Sequence, residues 1–600
     1  MPNDNDRLIQ TLLNLRTWSL FDVDDAGHVL AGHDELGTIQ LIEIAPDGTR
    51  TPLTRMPTRV SGKYVPGRRA VVVQHDAGGN ELHQLGLLDL TAAALPAGPD
   101  ALTPLVDDPE HMNVLREVTA DTLVYSSNRR NGVDMDVYAR DLASGEERAV
   151  YEEGGFVANV ALSHDGAHQA VTCYSLQPAS TSVSIDGEPL TAPDEQAEHG
   201  GVAWSADDAT VIMSSNHDRD MAAIARVSLD GSQWNWLVED DEHELGCWVS
   251  PDGLAMVVGR HVDGVFELAV HEADGTLRCP IRTPVAGVPE VVWAPDGSRV
   301  AMSISAATDP GSIHLVDART GESTVVVDAL EGVDVAAREQ LVTPTGGRVP
   351  TPDGEQVPCF VYAGSSDADP QLQGASVLLI HGGPEAAAYR NFMPVPHVLA
   401  AAGFTVLVPN VRGSAAYGKR WVSLDDVERR LDSVADLAAI REWLPSQGLD
   451  PERAALWGGS YGGYMVLAGV STQPDLWAAG VDIVGMSSLV TFLENTSDYR
   501  RALREREYGS LEHDRAVLEK ASPLTYLDQI RAPLFVIHGA NDPRVPLSEA
   551  EQIKAALDQK GVECELRVYA DEGHGLAKRA NRLDAYPAAV AFLVRHLTRA

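Results

Sequence analysis

The chain has 600 residues, of which 44% are hydrophobic and 22% charged, and it carries a net charge of −41. That length exceeds what one hydrophobic core supports and predicts two or more domains. The acid excess argues against nucleic acid, whose phosphates require Lys and Arg, and against anionic membrane surfaces.

The opening residues, MPNDNDRLIQTLLNLRTW, carry acids where a secretory signal carries bases. No uninterrupted apolar run approaches the roughly 18 residues of a membrane span, so a cytoplasmic protein is expected. The cysteines Cys173, Cys247, Cys279, Cys359 and Cys564 are odd in number and lack CxxC spacing. They read as thiols of a reducing compartment, without metal or disulfide roles.

Up to about residue 335 the sequence alternates short β-type runs with Asp-Gly turns. LSHDGAHQAV, WSADDATVIM, VSPDGLAMVV and WAPDGSRVAM place equivalent Ser or Ala residues at 163, 205, 250 and 294, in steps of 42, 45 and 44. Weaker cognates at 22–31, 65–74 and 119–127 bring the count to seven. Several short strands repeated at this period predict a seven-bladed β-propeller, whose blades bury their faces only against their neighbours. A sandwich or two of Asp-Gly hairpins is the plainer alternative. The repeats contain no recurrent His, Cys or Glu cluster, so no chemistry and no cofactor is expected of them.

Beyond that point buried strands alternate with helical patterns. ASVLLIHGGP, FTVLVPNVRG, AALWGGS, AGVDIVG, APLFVIHGAND and CELRVYADEGH read as strands, and DSVADLAAIREWL, YMVLAGV and YPAAVAFLVRHL as helices. This alternation predicts a doubly wound sheet with its site at the strand C-terminal ends.

One of those ends reads Gly458-Gly459-Ser460-Tyr461-Gly462, a G-x-S-x-G pattern between a strand and a helix. Such glycines let a strand turn abruptly into a helix and lift the serine hydroxyl into the open. Serine needs a base to remove its proton, and the base needs an acid to hold its tautomer. In this fold the chain order is Ser, Asp or Glu, His. Asp542 in FVIHGANDPRVP and His574 in RVYADEGHGL follow strands in that order. His397 and His596 fall on helical patterns and His513 in a polar stretch. Asp571, three residues from His574, is the nearest competitor for the acid role. The Tyr461 N–H is the expected first oxyanion donor, with a second from the HGGP stretch around Gly383.

HGGP, NVRGSAAYGKRW (410–421), GGSYGG, HGANDPRVP and DEGHG, in this order and spacing, resemble the prolyl oligopeptidase family of serine peptidases, most closely its acylaminoacyl peptidase branch. The resemblance covers the C-terminal 260 or so residues and implies an α/β-hydrolase capped by a propeller that admits only short or unfolded peptides. It also implies that residues 1–20 return as a helix onto the hydrolase, with the propeller over 21–335 and the catalytic domain over 336–600. Some relatives use a tyrosine hydroxyl aligned with Tyr417 for the oxyanion, but those usually lack HGGP. Dipeptidyl peptidase relatives bind the substrate amine with a propeller glutamate pair, for which Glu152 and Glu153 are the candidates.

LENTSDYRRALREREYG (493–509) clusters Arg500, Arg501, Arg504 and Arg506. These could hold a peptide carbonyl or C-terminal carboxylate, the alternative being a helix with surface ion pairs. The expected function is a serine peptidase that acts on short peptides and releases N-acylated or free N-terminal residues. Carboxypeptidase, dipeptidyl peptidase and carboxylesterase action are the alternatives. Activity is expected to fall in acid as the His574 base protonates. The number of subunits, monomer or homo-oligomer, is left open.

Overall fold

The computed structural model describes residues 4–599. Seven four-stranded sheets, over 18–52, 60–106, 113–151, 156–189, 199–238, 245–280 and 288–327, form a seven-bladed β-propeller. The 42- to 45-residue repeat falls on the hairpin between the first two strands of a blade. Ser163, Ser205 and Ser250 each donate their hydroxyl to the Asp two residues on, at 2.7, 2.7 and 2.6 Å. That bond organises the turn locally. Trp204 and Trp293 end first strands, and each donates its indole N–H to the preceding blade at 2.9 Å, to Ala161 and Trp248. The sequence period is thus the period of the tie between blades. Every blade uses four consecutive strands, so the last blade meets the first without strand exchange, for example where Leu20 N–H donates to Glu290 at 2.6 Å.

The second domain is an α/β-hydrolase built on one eight-stranded sheet. Its strands are β1 (Thr345–Pro350), β2 (Gln356–Tyr362), β3 (Ser376–Ile380), β4 (Thr405–Pro409), β5 (Ala454–Gly459), β6 (Ala479–Ile483), β7 (Leu534–Gly539) and β8 (Cys564–Tyr569), in the order β1-β2-β4-β3-β5-β6-β7-β8. β3 to β8 run parallel, whereas β1 and β2 add an antiparallel edge.

Successive residues alternate between two buried faces, as strands covered on both sides require. Val377, Val406, Trp457 and Phe535 pack on one side with Leu399 and Phe592, while Leu378, Leu407, Leu456 and Leu534 pack on the other with Leu437 and Met465. The first side also receives helix α1 (Asp4–Leu13), whose Ile9, Leu12 and Leu13 are buried beside helices α2 (Pro394–Ala402) and α6 (Arg579–Leu597). Helices α3 (Arg430–Trp443) and α4 (Tyr461–Thr472) flank the centre of the sheet, and α5 (Asp498–Tyr508) leads toward the propeller. All five cysteines are free, four of them buried and Cys564 half-buried.

Candidate active site

Ser460 stands between β5 and α4 with φ 58° and ψ −118°. A residue other than glycine held at positive φ costs on the order of 1–3 kcal/mol and persists only where its surroundings over-determine it. Here its N–H donates to Ile483 O at 2.8 Å and its carbonyl accepts from Tyr464 N–H at 2.9 Å. Two glycines make this turn sterically feasible. A Cβ on Gly462 would meet Ile380 O at 2.2 Å, and one on Gly458 would meet Gly462 O at 2.2 Å. Gly459 has ordinary space, with nothing nearer than 3.9 Å.

Below the turn, the Tyr461 hydroxyl lies 3.0 Å from Asp425 Oδ2 and 2.9 Å from Ser433 Oγ, and Asp425 also pairs with the buried Arg430. That network anchors the first turn of α4 from inside. The Tyr461 N–H, at the start of the helix, has no intrahelical acceptor and remains free to donate.

His574 Nδ1 lies 2.7 Å from Asp542 Oδ2, and the other Asp542 oxygen accepts N–H bonds from Arg544 at 2.8 Å and Val545 at 3.0 Å. Burial works to raise the Asp542 carboxyl. The His574 bond and charge and the two N–H donors outweigh it and hold the group below the usual carboxylate range. A carboxylate facing Nδ1 fixes the proton there and leaves Nε2 as the nitrogen with a free lone pair. Ser460 and His574 share a cavity of about 220 Å³ with Gly383, Met486, Phe492, Tyr508 and Val545, and with Arg500, Arg504 and Arg544. Asp571 instead pairs with Lys578 at 2.7 Å and is half exposed.

HGGP crosses over the serine. A Cβ on Gly382 would lie 3.5 Å from Ser460 Cβ. His381, whose pKa burial lowers, lies with Nε2 2.8 Å from Ser414 Oγ and donates from Nδ1 to Gly382 O at 2.7 Å. In a planar trans peptide this turns the Gly383 N–H to the opposite side. The sequence motif contained His381, but its role in orienting a peptide plane depends on contacts that no spacing reveals.

Four of the residues singled out in the sequence stand elsewhere. Tyr417 does not line the cavity; its hydroxyl accepts from Asn410 Nδ2 at 3.0 Å and it borders a separate pocket with Arg348, Glu355 and Arg420. Arg501 does not reach the cavity either. On α5 the positions 500, 504 and 508 share a face, and 501 is rotated by about 100°. It pairs instead with Asp498 at 2.9 Å and donates to Leu493 O at 2.9 Å. Glu152 and Glu153 are exposed beyond the outer strand of the third blade and line neither this cavity nor its approach.

The approach is a chamber of about 520 Å³ between the domains, with Gln74, Asp76, Glu81, His83 and Phe156 on the propeller side. Arg500, Arg544 and His574 line both chamber and cavity, so the two adjoin. A blade-two loop of the propeller touches the loops that carry Asp542 and His574. Asn541 Nδ2 donates to Gly78 O at 3.0 Å, Arg544 Nε donates to Glu81 at 2.7 Å, and a Cβ on Gly79 would meet Gly573 N at 2.8 Å. Among the described residues, Asp24, His28 and Glu43, and Glu195, His217 and Asp218, are grouped closely enough to ligate a metal. Both groups belong to the propeller and neither lines the cavity.

The sequence profile of the prolyl oligopeptidase family matches residues 390–600. The chain is 34% identical to dipeptidyl peptidase family member 6 of Caenorhabditis elegans over 249 residues, which are 40% of this chain and 33% of that protein. With dipeptidyl aminopeptidase BIII of Pseudoxanthomonas mexicana the match is 27% over 547 residues, 84% of this chain and 75% of that one. The chain thus spans about a third of the first relative's length and three quarters of the second's. Among solved structures, a puromycin-hydrolyzing peptidase of Mycobacterium tuberculosis superposes with TM-score 0.81 at 22% identity, covering 98% of this chain and 96% of that one. At that identity the likeness is one of fold.

Proposed function

We propose, from the match of residues 390–600 to the prolyl oligopeptidase family of serine peptidases, that the chain is such a peptidase and cleaves short peptides through an acyl-enzyme on Ser460. Ser460 Oγ attacks the scissile carbonyl while His574 Nε2 takes its proton and then delivers it to the leaving amine. Asp542 holds the imidazole in the required tautomer and stabilises the imidazolium. The Tyr461 and Gly383 N–H groups receive the oxyanion as it develops, which is where preorganised donors lower the barrier most. Water then releases the acyl group by the same proton transfers in reverse.

The observation that carries this reading is the 2.7 Å bond from His574 to Asp542 on one side of a cavity that Ser460 enters from a strained turn. The covered chamber favours chain ends and short peptides over folded proteins. The relatives' names point to substrates cut near a free N-terminus, whereas the HGGP-bearing motif set resembles the acylaminoacyl branch.

Hydrolysis of N-acetyl-leucyl and leucyl anilides by wild type and Ser460→Ala separates these cases. Loss of turnover and of fluorophosphonate labelling in the variant is the expected result. Preference for the blocked anilide favours acylaminoacyl release, and preference for the free amine favours aminopeptidase action. Undiminished turnover in the variant overturns the assignment.

A further inference from the structure

Three arginines converge on the cavity that holds Ser460, and they are not equivalent. Arg544 donates to Glu81 at 2.7 Å. Arg504 donates to Glu507 at 2.9 Å and to Gly383 O at 3.3 Å. For Arg500, among the described residues, no carboxylate lies at ion-pair distance and no oxygen accepts a hydrogen bond from the guanidinium, although Glu81 and Glu507 serve its two neighbours. Burial and the flanking charges of Arg504 and Arg544 act against its positive charge and outweigh the favourable influence of Tyr499 and Glu81.

The residue is nonetheless held in place. Its neighbour Tyr499 is buried with its ring 6.2 Å from Phe156 of the propeller, so α5 is pinned where Arg500 borders both chamber and cavity.

An uncompensated, partly desolvated cation is unfavourable by itself, and an anion that enters the cavity relieves that penalty. Guanidinium presents paired N–H donors in the geometry of a carboxylate. We propose that Arg500 is a carboxylate-recognition residue, so that the enzyme selects short peptides bearing a carboxylate close to the bond it cuts. The carboxylate is either the free C-terminus of a short peptide or an acidic side chain beside the cut. This rests on the serine-peptidase reading above and adds the substrate's charge to it.

The test uses the full-length protein and four peptides of equal length, with Glu or Gln beside the cut and a C-terminal acid or amide. Cleavage is followed by mass spectrometry for wild type, Arg500→Gln and Arg500→Lys. The readout is the kcat/KM ratio between each charged peptide and its neutral counterpart within one variant, so a partly unfolded preparation does not distort it. In wild type we expect one ratio to be roughly tenfold or more, to collapse toward one in Arg500→Gln, and to survive in part in Arg500→Lys. Preference confined to the acid/amide pair identifies the C-terminal carboxylate; preference confined to Glu over Gln identifies the side chain.

A wild-type ratio near one, or a ratio unchanged in Arg500→Gln, overturns the proposal. If Ser460 still labels with a fluorophosphonate and neutral peptides are still cleaved, only the carboxylate inference falls. If neither occurs, the peptidase reading falls with it.

Discussion

Arg544, two residues past Asp542, donates its Nε–H to Glu81 of the second propeller blade over 2.7 Å. Glu81 has φ 62°, and its N–H is held by Asp76 at 3.1 Å. The loop that presents it also presses Gly79 against Gly573, next to His574. The propeller therefore packs against the loops that carry Asp542 and His574 as well as covering the cavity. Gly79→Ala introduces a Cβ 2.8 Å from Gly573 N at a φ of +80°. It is expected to lower kcat on a small anilide by about tenfold or more, a barrier change near 1.4 kcal/mol. Steady-state kinetics checks this; an unchanged kcat removes the loop from the mechanism.

Asp542→Asn keeps the shape of the side chain and exchanges an acceptor for an amide. The amide favours the His574 tautomer protonated at Nε2, which cannot accept from Ser460. A fall in kcat on the order of 10⁴ is expected, with little change in KM. Fluorophosphonate labelling of Ser460 slows in parallel, and that rate is the independent check.

Tyr417→Phe tests the choice between the two oxyanion donors. The hydroxyl is engaged by Asn410 outside the cavity. Its loss is expected to change kcat by no more than about twofold, whereas removal of an oxyanion donor costs about 10²–10³. A loss in the larger range assigns Tyr417 to the reaction.

Asp482 lies on β6 with one oxygen bonded to Gly485 N–H at 2.9 Å and the other buried with no partner among the described residues. Burial pushes this carboxyl up to about 8; Gly485 opposes the shift and Glu549 adds to it. A raised acid pKa means that the folded state prefers the proton. The group is neutral below the unfolded value of 3.8, and stability falls as pH rises from there to about 8. Asp482→Asn cannot ionise, so its melting temperature is expected to gain on wild type between pH 5 and pH 8.5. At full ionisation the difference reaches on the order of 5 kcal/mol. Parallel melting curves across that range decide it.

The repeat was legible because Ser163, Ser205 and Ser250 do the same local work in each blade, bonding an Asp two residues away. That Ser460, Asp542 and His574 come together was legible because each follows a plain apolar run and so stands at a strand end of one sheet. The edge strand Thr345–Pro350 was not, since TGGRVP has no apolar alternation and pairs only through its neighbour β2. The phase of α5, which brings in Arg500 and turns Arg501 away, depends on where that helix begins. Glu81 carried no local signal, because its partner lies 463 positions along the chain.

Each blade draws its four strands from one continuous stretch of chain, so a blade can close as soon as that stretch has left the ribosome. Helix α1 has the opposite schedule. It is translated before every strand of the eight-stranded sheet, yet Ile9, Leu12 and Leu13 lodge against α2 and α6, and α6 is translated after the whole sheet. At roughly 5–20 residues per second, its apolar face waits for about half a minute to two minutes while the propeller assembles beside it. The hydrolase thus completes one of its faces with a helix that the whole propeller separates from it along the chain, and a cut between α1 and the first blade would harm the half of the molecule more distant in sequence.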